Sequence, residues 1–359
     1  MVQLYGEQFD RDALRARVGH ESQVGGVQRL VLNEGNTRGT EVVEFTTGTG
    51  LVFQVLPTRG MDIGLARFGE KAIAWRSRTG EVEPGYLGDV GFEARRGSYG
   101  GLVCTCGYCN VGVPNDDAGT PYGLHGRAQL CPANAVHADA EWDGDEYRMW
   151  CKGKVVELDK FQEYFENSRT VGTKLGSNTI RIEDSIRNLA FTAQPHMILY
   201  HINFGWPLVS GHTRVYAPSV SRRHRDKDSY DFDWTRYAAV PKAQFEDVLY
   251  HEMEAGSDGM VRLALINETP GRERWGVSLT YTKATLPRFV HWIQPSPGAY
   301  VMGLEPGNCW ADGRAAHRER NDLVIMEPGE TRKYLVEFTV LPGEKDVAEA
   351  LSHINARDI

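Results

Sequence analysis

The 359-residue sequence has no apolar run near the ~20 residues that a membrane-spanning helix requires, so no spanning helix is expected. It also lacks a G-x-G-x-x-G run after a strand-like segment, a P-loop lysine motif and any alternation of strand and helix patterns. Those absences exclude the doubly wound nucleotide-binding folds. Basic charge is in deficit, with 40 Lys and Arg against 48 Asp and Glu, a net charge of −8 and a pI near 5.8. A nucleic-acid binder would need a concentrated basic face to offset this. The one dense basic run, Arg222-Arg223-His224-Arg225, is followed by Asp226-Lys227-Asp228. It reads first as a solvated loop with compensating charges and second as an anchor for an anionic substituent on a ligand. Cysteines are few, six in all. The N-terminus is charged early and has no apolar core, so no secretory signal is expected and a cytoplasmic location is. A disulfide framework is then not expected. Cys104, Cys106 and Cys109 form C-x-C-x2-C, which is not a usual zinc pair and has no second pair after it. Buried thiols are the first reading there, and a metal site the second. No nucleic-acid or membrane partner is expected.

What is present is a succession of short strand patterns. The apolar fraction of 41% and charged fraction of 25% are those of a globular protein. Leu51–Leu56 alternates between two faces, and the turn Thr46-Thr-Gly-Thr-Gly50 joins it to Glu41–Phe45 as a hairpin. Asp143-Gly-Asp145 makes a second hairpin between Ala138–Trp142 and Tyr147–Leu158. Asn178–Asn188 alternates through Ile180, Ile182 and Ile186, and His196–Phe204 is apolar on both faces, as in a central strand. Further strands are expected at Met61–Phe68, Lys71–Trp75, Thr213–Ala217, Met260–Asn267, Trp275–Thr282, Phe289–Ile293, Ala299–Leu304, Asp322–Met326 and Arg332–Leu341. Only Asp10–Val18 and Asp346–Asn355 suggest helices. Many short strands with Gly and Pro turns predict an all-β antiparallel sandwich with few short helices, formed as one domain over residues 1–359.

Residues 76–133 are long, Gly-rich and weakly periodic, and so long an irregular segment in a compact domain usually carries function. Within it, Gly123 and Gly126 flank Leu124-His125 and precede Arg127. Glycines free the backbone to present a neighbouring side chain. His201 shares a strand face with Leu199 and Asn203. Glu305 follows the apolar run Tyr300–Leu304 and precedes Pro306, which is expected to end the strand, and Asn308 lies close by. A carboxylate at the mouth of an apolar strand has its pKa raised by desolvation, which suits a general base. His201 alone reads as well as a satisfied edge histidine, and Glu305 as a turn residue. Arg59, between two apolar strands, reads equally as a ligand anchor and as an ion-pair partner of Asp62. Trp75, Tyr108, Tyr122, Trp206, Trp292 and Tyr300 lie near these candidates in sequence. Aromatic faces of this kind can wall a sugar site.

LPTRGMDIG (56–64), TCGYCNVG (105–112), GLHGR (123–127), EDSIRN (183–188), LYHINFG (199–205) and YVMGLEPGN (300–308) together resemble the galactose mutarotase-like (aldose 1-epimerase) superfamily, over nearly the whole chain. The resemblance implies a large antiparallel β-sandwich with a sugar site on a concave face. It implies that His201 is the general acid on the ring oxygen and Glu305 the general base on the anomeric hydroxyl. It further implies that His125 orients the sugar, and that Arg59, Asn110 and Arg127 add hydrogen bonds. Well-studied members carry an Asn-Arg pair before the Leu-His-Gly turn. Here Cys109-Asn110-Val111 stands there, so that Arg59 or Arg127 is the candidate substitute.

The expected function is therefore a cofactor-independent, metal-free isomerase interconverting sugar anomers. Its catalytic residues would be His201 and Glu305, and its substrate-binding residues His125, Arg59, Arg127, Asn110, Asn203 and Asn308. The expected partner is a small-molecule sugar or sugar derivative, and a homodimer fits the reading. A non-catalytic sugar-binding protein, or a lyase or epimerase of an oxidised or acidic sugar, are the alternatives that the same scaffold permits.

Overall fold

The computed structural model describes residues 1–226, 233–237 and 246–355. Two large sheets dominate, and their strand pairs are antiparallel. The eight-stranded sheet runs Ala133–Asp143, Glu146–Leu158, Tyr164–Lys174, Thr179–Asn188, Thr331–Leu341, Trp275–Thr282, Met260–Asn267, Thr213–Tyr216. The larger sheet has Arg288–Gln294, Val301–Gly307, Met197–Phe204, Val103–Tyr108 and Asp62–Phe68 as consecutive neighbours at its centre. Ser219–His224 and Asp247–Met253 extend it on one side, and Leu51–Leu56, Glu41–Thr46 and Gly26–Val31 on the other.

One shared core lies between the sheets. From the larger sheet it takes Phe53, Val103, Ile198, Tyr200, Ile202 and Leu304, and from the smaller Phe165, Ile182, Leu263, Leu279 and Phe338. Over Thr179–Asn188 the eight-stranded sheet buries one face only, seen as strict alternation of buried and open positions, whereas Met260–Asn267 is covered on its outer side too, where Ala264 and Ile266 pack with Leu341 and Val347. Central strands of the larger sheet are buried along both faces. A second apolar layer covers their outer side, built from Cys106, Leu199, Val248, Val290, Cys309 and Trp310. The continuous apolar character of 196–204 thus has a cause: the strand is sandwiched, and the functional cavity opens where the outer cover parts. Among the described residues no helix is long and apolar enough to cross a membrane.

Several expected elements differ in the structure. Pro306 does not end its strand, which runs on to Gly307 with Pro306 opposite Phe289. On the other side, pairing with Met197–Phe204 is registered at Gly303 and Gly307 but not between them, so the donor that Pro306 lacks is not demanded by that neighbour. The second case is residues 76–133, which are less irregular than their composition suggests, because Val103–Tyr108 is a fully buried central strand. Lys71–Trp75 shortens to Lys71–Ala72, and the first helix to Arg11–Arg15, capped by the Asp10 side chain accepting from Ala13 N at 2.7 Å.

Candidate functional site

The central strands carry a transverse row of side chains on the outer face. Cys104 lies opposite His201, and Val290 opposite Glu305. Leu199 pairs with Gly307 and Asn203 with Gly303, which sets His201 against Glu305 on the adjacent strand. The outer face here lines a cavity of about 990 Å³ that receives His201, Glu305, Asn203, His125, Trp75 and Trp292.

His201 and Glu305 form the floor. Nε2 of the imidazole is 3.2 Å from Oε1 of the carboxyl, and their side chains are 16% and 2% exposed. The distance is that of an ion pair, yet Oε1 accepts no aligned hydrogen bond, so the two are in contact without being locked together. Burial pushes the Glu305 carboxyl well above the usual carboxylate range, against an opposing pull from Arg225. Burial likewise lowers His201 to about 4, with a smaller upward effect from Asn203. The His201 ring is therefore neutral at pH 7, and burial favours the protonated form of Glu305.

His125 stands edge-on to His201, with ring centroids 5.4 Å apart and planes at 88°. Its backbone is left-handed, at φ 61°. That conformation is held by hydrogen bonds from His125 N to Gly112 O at 2.8 Å and from Gly107 N to His125 O at 2.9 Å. Burial, His201, Arg225 and Arg95 lower its pKa to about 3, so the ring is neutral. Gly126 has φ 70°, and a Cβ there would meet Asn110 O at 2.3 Å. Gly126→Ala is therefore expected to cost about 1–3 kcal/mol from backbone strain alone, with the clash in addition. Urea denaturation measures this, and an unchanged midpoint would show that the turn does not need glycine.

The walls are aromatic. Trp292 packs edge-on to His201 at 5.2 Å, and Trp75 to Trp292 at 6.2 Å. Each indole is fixed by its N–H, Trp75 donating to Ala299 O at 2.7 Å and Trp292 to Glu246 Oε1 at 3.2 Å. Nδ1 of His125, Nδ1 of His201, Oδ1 of Asn203 and Oε1 of Glu305 are buried polar atoms without a hydrogen-bond partner. Each such atom costs about 1–3 kcal/mol. Four of them around one cavity between two tryptophans suit a ligand with several hydroxyls and an apolar ring face.

Other residues singled out in the sequence lie elsewhere. Arg59 is fully buried. It donates to Val82 O at 2.8 Å and Gly97 O at 3.0 Å, with its guanidinium 4.9 Å from the Tyr99 ring. It is neither in the cavity nor paired with Asp62, whose ion-pair partner is Arg169. Arg127 points away to Asp89 at 2.8 Å. Asn110 spends its polar atoms on structure, donating to Gly123 O at 2.9 Å and accepting from Asn115 Nδ2 and Arg314 N, each at 2.9 Å. It thus anchors the turn that carries His125. Asn308 clamps the strand start, accepting from Ile198 N at 2.8 Å and donating to His196 O at 3.1 Å. Of the six aromatics, Trp75 and Trp292 line the cavity, whereas Trp206 is 71% exposed. Cys104 and Cys106 line the cavity and Cys109 sits in the shared core, so the three thiols do not converge. A cysteine with two carboxylates at metal-ligand spacing occurs instead as Cys109, Glu157 and Glu163.

The cavity also holds residues that the sequence reading passed over: Arg78, Arg95, Gln129 and Glu246. None sits in a recognisable motif, and they come together only through the fold. Arg225, from the basic run, lines the cavity as well, whereas Arg223 packs over Tyr250 and Trp310. Lys227 and Asp228 lie outside the described residues.

With the architecture and the floor of the cavity established, comparison with solved structures defines the class. A protein provisionally named an aldose 1-epimerase, from Klebsiella pneumoniae, aligns with TM-score 0.84 and 23% identity over 97% of this chain and 90% of its own. A galactose mutarotase-like protein from Clostridium acetobutylicum aligns with TM-score 0.59 and 12% identity, covering 89% of this chain and 99% of its own. The galactose 1-epimerase of Lactobacillus acidophilus gives TM-score 0.57 and 10% identity, again over 89% and 99%. At such identities the likeness establishes fold, and this chain has the galactose mutarotase-like fold. By sequence it belongs to the family described as a domain of unknown function (DUF4432), whose model matches residues 37–340. No curated protein matches the sequence.

Proposed function

We propose that the protein is an aldose 1-epimerase-like isomerase that interconverts sugar anomers by acid/base catalysis. The observation that carries this is the 3.2 Å approach of His201 Nε2 to Glu305 Oε1 at the floor of a tryptophan-walled cavity. Mutarotation needs one group to take the proton of the anomeric hydroxyl and another to give a proton to the ring oxygen. The C–O bond then breaks, C1 becomes an aldehyde carbon, and rotation about C1–C2 precedes closure with the roles reversed. Two adjacent groups sharing one proton meet that need. Burial favours the neutral arrangement, imidazole with carboxylic acid, while Arg225 and the sugar hydroxyls favour the charge-separated one. In the latter, Glu305 accepts from the anomeric hydroxyl and His201 donates to the ring oxygen. Each group supplies about 10²–10⁴-fold, sufficient for a reaction that already proceeds unaided. His125 and Asn203 supply hydrogen bonds to the substrate, and Trp75 and Trp292 an apolar wall. The test is anomer exchange followed by polarimetry or NMR over a panel of aldoses; no acceleration on any of them rejects the reading.

The proton inventory predicts a pH profile. Below about pH 4, the lowered value of His201, the imidazole is also protonated and no base remains. Above the raised value of Glu305 the pair is fully deprotonated and no acid remains. kcat/KM is expected to form a bell with its acid limb near pH 4 and its basic limb above the usual carboxylate range, the two limbs belonging to the pair. An acid limb at an ordinary histidine value near ~6.5 would contradict the burial argument.

A further inference from the structure

The wall of the cavity carries charge that the acid/base pair does not use. Arg78 and Arg95, from the 76–100 segment, and Arg225, which follows the strand Ser219–His224, line the same space. Arg95 lies in the short turn Glu93–Gly97, with its guanidinium 4.2 Å from the Phe92 ring. Glu93 does not neutralise it, pairing instead with Arg96 at 3.0 Å. Arg78 contacts the carbonyl of Pro297 at 3.4 Å. Among the described residues, neither Arg78 nor Arg95 forms an ion pair with a carboxylate. Arg225 is paired with Asp226 at 2.8 Å, but its field still reaches both His125 and Glu305. Among the described residues, the cavity lining holds one carboxylate apart from Glu305, namely Glu246, and that group accepts from Trp292.

Three guanidinium groups around one cleft run against the net charge of −8 of the whole chain. A cleft lined by one sign of charge concentrates ligands of the other. A neutral sugar offers hydroxyls that both donate and accept, whereas arginine only donates, and its planar fork matches a carboxylate or phosphate. Position also matters. Arg78 and Arg95 are exposed, at the mouth, while His201 and Glu305 are sunk in the floor.

Building on the anomer-exchange reading, we infer that the substrate is an aldose bearing an anionic group remote from its anomeric carbon, a sugar phosphate or sugar acid. Its anomeric end meets Glu305 and His201, and its anion lies among Arg78, Arg95 and Arg225. The remote charge then orients the ring before chemistry begins.

The test is calorimetric titration of the full-length protein with a neutral hexose, the corresponding hexuronate and the hexose 6-phosphate, at low and high salt. At least one anionic sugar is expected to bind tenfold or more tightly than the neutral one. The gap should narrow at high salt and in Arg95→Gln and Arg225→Gln. The carboxylate and phosphate arms identify the anion. Equal or tighter binding of the neutral hexose overturns the inference, as does a preference that both variants retain, or no binding of any of the three. Anomer exchange measured on the same sugars separates the two readings. Tight anionic binding without faster exchange keeps the anionic site and removes the catalytic role. Fast exchange on the neutral sugar without an anionic preference does the reverse.

Discussion

Glu305→Gln is expected to slow anomer interconversion by about 10²–10⁴-fold, the contribution of one positioned acid/base group. Glutamine keeps the shape of the side chain and its carbonyl oxygen but cannot exchange a proton. The pair then retains only the imidazole, which can do one half of a reaction that needs both. The effect should fall on kcat, because the hydrogen-bonding outline of the floor is preserved and ground-state binding with it. His201→Gln is expected to give a loss of the same order, and the double variant little more than either single one, since the two groups act as a unit. Activity within threefold of the parent in either single variant would remove that residue from the chemistry.

The same substitution has a stability signature that separates function from folding. Glu305 has its pKa raised by burial. Its contribution to stability is therefore fully present below the unfolded carboxyl value and is lost as pH rises towards the folded one. Within that window the parent protein loses about 1.4 kcal/mol per pH unit through this group. Glutamine does not titrate, so Glu305→Gln should gain on the parent as pH is raised above about 4.5, and thermal melts at pH 5 and pH 8 read the difference directly. A less active but more stable variant is what a buried catalytic carboxyl predicts.

Sequence reasoning recovered segments such as Thr179–Asn188, where one strand face meets solvent and the alternation is visible. Met260–Asn267 and Trp275–Thr282 match their predicted limits. It overlooked Tyr164–Lys174, and the reason is physical: the inward positions of that strand include Asn167 and Arg169, both fully buried, so the polar–apolar pattern is erased. Val103–Tyr108 was hidden for the opposite cause, being buried on both faces with small and Gly-flanked residues. In the site, motif-borne residues on central strands were legible. His201, Glu305 and Asn203 face the cavity because strand periodicity fixes their side. The guanidinium groups were not. Arg59 and Arg127 looked suitable by type, but a buried guanidinium goes where backbone carbonyls accept it, and an exposed one to the nearest carboxylate. Neither destination is encoded in local sequence. Arg78 and Arg95 reach the cavity only through long-range folding of the 76–100 segment.

Beneath the floor of the cavity lies the interaction with the largest expected effect on stability. Arg169, on the eight-stranded sheet, donates from Nε and Nη2 to the Asp184 carboxylate at 2.8 and 2.7 Å. Its Nη1 donates to Asp62 Oδ1 at 2.9 Å and to Gly60 O at 3.1 Å, tying that sheet to the larger one. Asp62 also accepts from Thr105 N at 2.8 Å and Thr105 Oγ1 at 2.6 Å, and Tyr200 donates to Asp184 at 2.5 Å. Thr105 lies between Cys104 and Cys106, and Tyr200 precedes His201, so the network holds the backbone from which the cavity floor projects. All three charged side chains are fully buried. Arg169→Met leaves two carboxylates in the core without a counter-charge, and breaking such a pair costs about 3–5 kcal/mol. That is a large part of the ~5–15 kcal/mol that typically holds a native protein. Burial already holds the Asp62 carboxyl above its usual range against the downward pull of Arg169, and losing the guanidinium raises it further, so stability survives at low pH and drains away as pH increases. The deficit of Arg169→Met against the parent in urea should thus be larger at pH 7 than at pH 5. Adding Asp62→Asn and Asp184→Asn, which removes the stranded charges, should restore part of the loss at pH 7. A deficit that does not change with pH would show that the network acts through packing rather than charge.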